Sequence, residues 1–274
     1  MTLPSGAKRI FMGFALALAT MFLPQNATAQ ILTVDLGTAS NFAILASSGT
    51  TNAGVTTVTG EVGSSPTATI ANSGTFTLIG TDHGGDPVTL GAKNDLDTAY
   101  NDAVTRTPTT IYGAIFDLGG LTLTSGVYND PSSFGIAGTL TLDGQNNPDA
   151  VWIFQAGSTL STGANSAVVL INGAQASNVF WQIGSSATLG ANTQFAGTML
   201  AFTSITLGSG TTVDGRTLAK GGAVALTQNT ISLPISAAPE PGTTLLLGLG
   251  LVTLLVLRRQ FFYSGLTACW KVRA

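Results

Sequence analysis

The feature that most constrains this fold is an internal repeat. Thr188-Leu189-Gly190 recurs eighteen residues later as Thr206-Leu207-Gly208. At the same offset Thr193 matches Thr211, Phe195 matches Val213, Gly197 matches Gly215, and Leu200-Ala201 matches Leu218-Ala219. A looser copy sets Phe154-Gln155-Ala156-Gly157-Ser158 against Trp181-Gln182-Ile183-Gly184-Ser185. A period of this length with alternating apolar residues fits one turn of a β-solenoid, whose turns stack at the strand spacing of ~4.8 Å. A β-sandwich is the competing architecture for short strands of this kind.

Composition agrees with strands and turns. Only 8% of the 274 residues are charged, and glycine occurs 34 times. The 44% hydrophobic fraction suffices for a sizeable core, which argues against disorder. The single cysteine, Cys269, lies in the far C-terminal tail. The body therefore has no disulfide framework and no Cys-based metal site, so packing and ladder hydrogen bonds must hold it together. Residues 30–238 carry Lys93, Arg106, Arg216 and Lys220 against twelve acidic side chains. Four dispersed cations in an acidic body make a poor phosphate binder, which argues against nucleic acid as a partner.

The two ends read as processing segments. Residues 1–29 have the form of a secretory signal peptide: Lys8 and Arg9, an apolar stretch from Ile10 to Leu23, and Ala27-Thr28-Ala29 as the cleavage site. Residues 234–241 form a linker ending in Pro239-Glu240-Pro241. Residues 242–259 hold an apolar run closed by Arg258-Arg259, and 260–274 form a tail. The run is near the lower length limit for a membrane span, and the arginines would keep its C-terminal flank cytoplasmic.

Between these ends, residues 31–90 and 111–233 are strand-like, with Thr, Ser and Gly in short alternating runs such as Val55 to Val62. One helix interrupts them. Leu96, Ala99, Tyr100, Ala103 and Val104 make an apolar stripe at helical spacing, and Pro108 ends the segment. The expected span is about residues 92–106, laid on the strands through Leu96, Tyr100 and Ala103.

Two resemblances follow from these residues. The order Pro239-Glu240-Pro241, apolar run, Arg258-Arg259 resembles a PEP-CTERM sorting signal. It implies recognition by an exosortase-type sorting transpeptidase at the inner membrane of a Gram-negative cell, with a transient or retained C-terminal membrane anchor. Such signals usually stop soon after the arginines, whereas here Gln260 to Ala274 continue. The body resembles the ice-binding-like domain of secreted microbial proteins. The likeness is carried by Asp35 to Leu45, Thr59 to Pro66, Ala99-Tyr100, Leu121 to Tyr128, Ala150 to Gln155, Leu170 to Ala174 and Val179 to Gln182. It implies a mainly β fold, an irregular right-handed β-solenoid (discontinuous β-helix) over residues 30–233 with one long α-helix packed alongside. It also implies that N-terminal and C-terminal strands interleave.

Catalytic chemistry finds little support. His83, in Thr81-Asp82-His83-Gly84-Gly85-Asp86, is the one histidine. Asp82, His83 and Asp86 are imaginable metal ligands, but one histidine in a Gly-rich turn is more often a loop or packing residue. No Gly-x-Ser-x-Gly elbow presents a nucleophile, and phosphate loops and metal repeats are absent. A carboxylate pair of the kind that cleaves polysaccharides on β-helices remains the enzymatic alternative. The expectation is a protein without enzymatic activity, cofactor or metal.

The threonines are the remaining candidates. In Ile205-Thr206-Leu207 the two apolar neighbours point to the core, so Thr206 points out. The same logic turns Thr188, Thr159 and Thr141 outward, with Ala225 on the turn after Thr206. If these turns stack in register they form a flat, sparsely charged Thr/Ala surface suited to ice or ordered water. Asp214 and Arg216 mark an outward side that should not face ice. The expected function is therefore ice binding by a secreted or envelope-displayed protein. The rival is a cell-surface or matrix structural role on the same scaffold.

Overall fold

The computed structural model describes residues 31–234. The expectations for the signal peptide, the apolar segment and the tail lie outside these residues. Among the described residues no helix is long and apolar enough to cross a membrane.

The body is a stack of rungs made of parallel strands, with no pair of antiparallel sheets. A typical rung runs Trp152–Ala156, Leu160–Thr162 and Ala167–Ile171 on three successive faces. The next rung begins at Val179, and Phe154-Gln155-Ala156 lie opposite Trp181-Gln182-Ile183. The looser copy in the sequence is thus a true neighbouring rung. It is longer because the chain from Asn172 to Asn178, including the 3-10 turn Ala176–Asn178, bulges out before the next rung starts. The eighteen-residue repeat is the rung that follows. Gln194 to Ala201 pair with Thr212 to Ala219 over eight residues without a slip.

Those two long strands turn a corner. Gln194–Ala201 starts on the third face and finishes on the first, bending at Gly197. There φ is +109°, and an added Cβ would lie 2.7 Å from the carbonyl oxygen of Val179, so only glycine fits. This continuity merges the first and third faces into a 15-stranded sheet, while the second face is a separate sheet of eight strands.

The stack is not in chain order. The strands Phe42–Ala46 and Thr50–Ala53 sit on Thr212–Ala219 and Val224–Thr227, and Val55–Thr59 sits on Thr230–Ser232. A rung of Glu61–Ser64, Ile70–Asn72 and Thr75–Ile79 follows, and Asp82–Gly84 pairs outside Glu61–Ser64 to close that end. The interleaving implied by the resemblance is therefore present.

An aromatic ladder fills the core. Phe154 and Trp181 stack at 4.0 Å, with Tyr128 5.3 Å beyond Phe154 and Phe195 5.1 Å beyond Trp181. Each buried indole N–H is satisfied: Trp181 donates to the Ala196 carbonyl at 3.0 Å and Trp152 to the Leu123 carbonyl at 3.2 Å.

The helix lies along the first face, returning the chain from the closing end to the opposite one. It spans Pro87–Thr105, starting earlier than its apolar stripe suggests. Asp86 caps it, its carboxylate accepting from the Thr89 N–H at 2.9 Å, and Pro87 occupies the first turn. Ala92, Leu96, Ala99, Tyr100 and Ala103 are buried against Leu45, Ile153, Phe180, Leu200 and Leu218. Val104, placed in the stripe by its spacing, is instead 47% exposed and lines an open groove beside the helix. At the other end Gln155 Nε2 donates to the carbonyls of Ala103 and Arg106, both at 2.8 Å, satisfying groups a helix terminus leaves open.

Candidate functional site

The second face is built by eight short strands that pair without a register shift. Within the central strands the flanking residues face inward: Ala187 and Leu189, Ile205 and Leu207, Val224 and Leu226 are all buried. The residue between them must then point to solvent. Following the pairs from one end of the stack gives Asp117, Gly135, Ser161, Thr188, Thr206, Ala225, Thr51 and Ala71 as one outward column. Eight rungs at the ordinary ~4.8 Å spacing make a surface about 34 Å long.

Of the residues expected from sequence, Thr188, Thr206 and Ala225 stand consecutively in this column. Thr141 does not. It lies on the third face, opposite Thr122 and Val169. Alternation correctly turns a residue out of the core but does not say which of three faces it joins. Thr159 does not join the column either. It sits in the bend before Leu160, half-buried, with its hydroxyl donating to Ser133 Oγ at 2.9 Å. Alternation fails there because the strand has not begun.

Sequence reasoning missed Ser161, Thr51 and Ala71. Ser161 follows Thr159 by two residues, and the pattern Leu160-Ser161-Thr162 contained the signal. Thr51 and Ala71 join only through the interleaved N-terminal strands.

The face is electrostatically quiet. Its column has one charge, Asp117, on the terminal rung. The four cations are held elsewhere. Arg106 pairs with Asp102 at 2.7 Å and Lys220 with Asp97 at 3.5 Å, both on the helix. Lys93 Nζ donates to Ser47 Oγ, the Ala219 carbonyl and the Lys220 carbonyl at 2.6, 3.0 and 2.6 Å. Its burial, with Lys220 adding repulsion, lowers its pKa from 10.5 to about 8. Arg216 is not on a free outward side. Its Nε donates to the Ser40 carbonyl at 2.8 Å, and burial lowers its pKa to about 10.

The third face offers a second threonine row, Thr212, Thr230, Thr57 and Thr77. It is a poorer plane. The strand Ala167–Ile171 meets its neighbour at one residue pair only, Ala167 with Gln194, leaving a cleft beside it. Asp214 stands two residues along the strand from Thr212.

His83 packs 5.5 Å from the Phe42 ring. Its Nδ1 lies 3.0 Å from Asp86 and its Nε2 3.5 Å from Glu61. It thus ties the helix cap to the adjacent rung. Among the described residues no group of three or more His, Cys, Asp or Glu is placed to hold a metal ion.

The fold and this face define a parallel β-solenoid that presents a long strand surface whose one charge is at its end. The ice-binding-like family model matches residues 44–232, and the PEP-CTERM protein-sorting motif matches 237–260. An ice-binding protein of Nostoc sp. (strain HG1) is 45% identical over 84% of this chain and 88% of its own. One from Colwellia is 37% identical over 87% of this chain and 98% of its own. The crystal structure of an ice-binding protein from an Antarctic biological consortium superposes with a TM-score of 0.69 at 39% identity, covering 78% of this chain and 96% of that one. The ice-binding protein of Antarctomyces psychrotrophicus gives 0.66 at 36%, covering 76% and 100%. The chain belongs to the ice-binding-like family.

Proposed function

We propose that this protein adsorbs to ice through its second face, using Ser161, Thr188, Thr206, Ala225 and Thr51 as the centre of the contact. The observation that carries this reading is the unbroken register of the outward column across eight strands with one terminal charge. Repeating short side chains at strand spacing give hydroxyls to anchor ordered water and methyls to exclude disordered water. No single contact is strong, so adsorption depends on area and flatness. Family membership supports the same reading. The direct test is inhibition of ice recrystallisation by residues 30–238, with a Thr206→Tyr variant beside it. Inhibition by the first and not the second is expected.

The sorting motif favours a further element. The protein is exported by the segment 1–29 and handled at the inner membrane by a sorting transpeptidase acting near Pro239-Glu240-Pro241. Anchorage before that processing would place the ice face at the cell envelope. Intact-mass measurement of the native protein tests this: a mature chain beginning near Gln30 and lacking Cys269 and Trp270 is expected. Retention of those residues contradicts it.

A further inference from the structure

A groove lies beside the C-terminal half of the helix, at the corner where the first face gives way to the second, and shares no residue with the second-face column. Its volume is about 450 Å³, within the ~300–1,000 Å³ of small-molecule clefts. Gly157 and Gly184 form its floor. A Cβ on Gly184 would collide with the Gly157 carbonyl oxygen, and one on Gly157 with that of Pro131. Rung stacking itself therefore demands glycine at both positions, and bare backbone leaves the space above them open.

The walls are of two kinds. On the helix side stand Tyr100, Asn101 and Val104; across the floor stands Phe202. Val104 and Phe202 are 47% and 50% exposed, and Phe202 is the one aromatic ring among the exposed large apolar side chains of the described residues. Lys220 Nζ hangs 5.7 Å from the Phe202 ring and 5.3 Å from that of Tyr100.

A row of amides lines the same groove. Asn129, Gln155 and Gln182 are partners on three successive rungs. Gln155 is fully occupied by the helix end and by Asn129. Gln182 differs. It is only 5% exposed, and its Nε2 donates to the Tyr100 hydroxyl at 2.9 Å. Its Oε1 accepts nothing from the described residues. Held by the Tyr100 bond and open to the groove, it is an oriented acceptor that a ligand hydroxyl can meet.

We propose that this groove binds a neutral pyranose unit of a glycan. The lining carries no charged side chain, and the nearby Lys220 is engaged by Asp97 and the two rings, so a charged ligand has no counterpart. A sugar ring offers an apolar C–H face for Phe202 and hydroxyls that donate to Gln182 Oε1 and to the exposed amide of Asn101. A peptide strand is disfavoured because the floor is not a free edge. Gly157 N–H donates to the Asp130 carbonyl and Gly184 N–H to that of Ala156. The site is separate from the ice face, and the proposal stands whether or not the protein binds ice.

The test is saturation-transfer NMR and titration calorimetry on the full chain with maltohexaose, cellohexaose, xylohexaose and mannohexaose. At least one should bind with a Kd below about 1 mM. Phe202→Ala should weaken that binding about tenfold, the worth of one aromatic contact. Asn101→Ala, on the exposed helix surface, should weaken it less. Because Phe202 is half-exposed, its loss should leave the melting curve nearly unchanged, which separates lost contact from lost fold. Absence of transfer from the protein to all four sugars at millimolar concentration would overturn the proposal. So would undiminished binding by Phe202→Ala.

Discussion

Thr188 and Thr206 are direct partners on adjacent rungs, both solvent-exposed, each held between two buried apolar neighbours of its own strand. Their backbones are fixed by the ladder, and their hydroxyls make no hydrogen bond among the described residues. A bulky or charged group at either position should raise a point above the plane and separate the face from ice on both sides of it. Thr206→Tyr and Thr188→Lys are expected to abolish most ice activity, and Thr206→Ser to reduce it mildly. Melting curves should move little, since exposed strand positions shift stability by only about 0.5 kcal/mol. Thermal hysteresis beside thermal melts checks both halves.

The interleaved stack makes Thr51 part of the same plane, next to Ala225 although far from it in sequence. Thr51→Tyr should therefore match Thr206→Tyr in severity. Thr141→Tyr, on the third face, should leave ice activity intact. Equal damage by Thr141→Tyr would assign the contact to the wrong face.

Arg216 tests fold rather than surface. Arg216→Ala removes the hydrogen bond to the Ser40 carbonyl and the cover over Thr198. A bond from a charged donor is worth about 1.5–3 kcal/mol. The variant should melt earlier by that order while the folded fraction keeps full ice activity.

Lys93 gives a pH signature. Its pKa falls from 10.5 unfolded to about 8 folded. Below pH 8 both states hold the proton and the cost of burying the charge is constant. Between 8 and 10.5 the folded state has released a proton that the unfolded state keeps, so stability rises with pH. The difference in stability between wild type and Lys93→Met should grow in favour of wild type from pH 7.5 to 9.5 in denaturant titrations. A flat difference would contradict the buried ammonium.

These outcomes trace what the sequence could carry. The repeat between Gln194–Ala201 and Thr212–Ala219 was legible because those rungs are consecutive in the chain and equal in length. Thr188, Thr206 and Ala225 follow from it. The rung joining Thr51 to Ala225 was not legible from periodicity, since its partners come from opposite ends of the chain; only the family resemblance implied it. Thr141 and Thr159 show the limit of alternation: it separates core from solvent within a strand, yet is blind to which face the strand occupies and lapses at a bend. Arg216 appears outward until the 3-10 turn carrying Ser40 is laid over it. The helix start was readable in Asp86-Pro87, a cap followed by a first-turn proline, but the apolar stripe drew attention to later residues.

The central claim is that the sparsely charged second face adsorbs to ice. Its most direct test is thermal hysteresis of residues 30–238, measured for wild type, Thr206→Tyr and Thr141→Tyr at equal concentration. The account predicts hysteresis with ice-crystal shaping in wild type and Thr141→Tyr, and its loss in Thr206→Tyr with the fold intact. Wild-type protein that shows neither hysteresis nor recrystallisation inhibition would contradict it, leaving a structural role at the cell surface in its place.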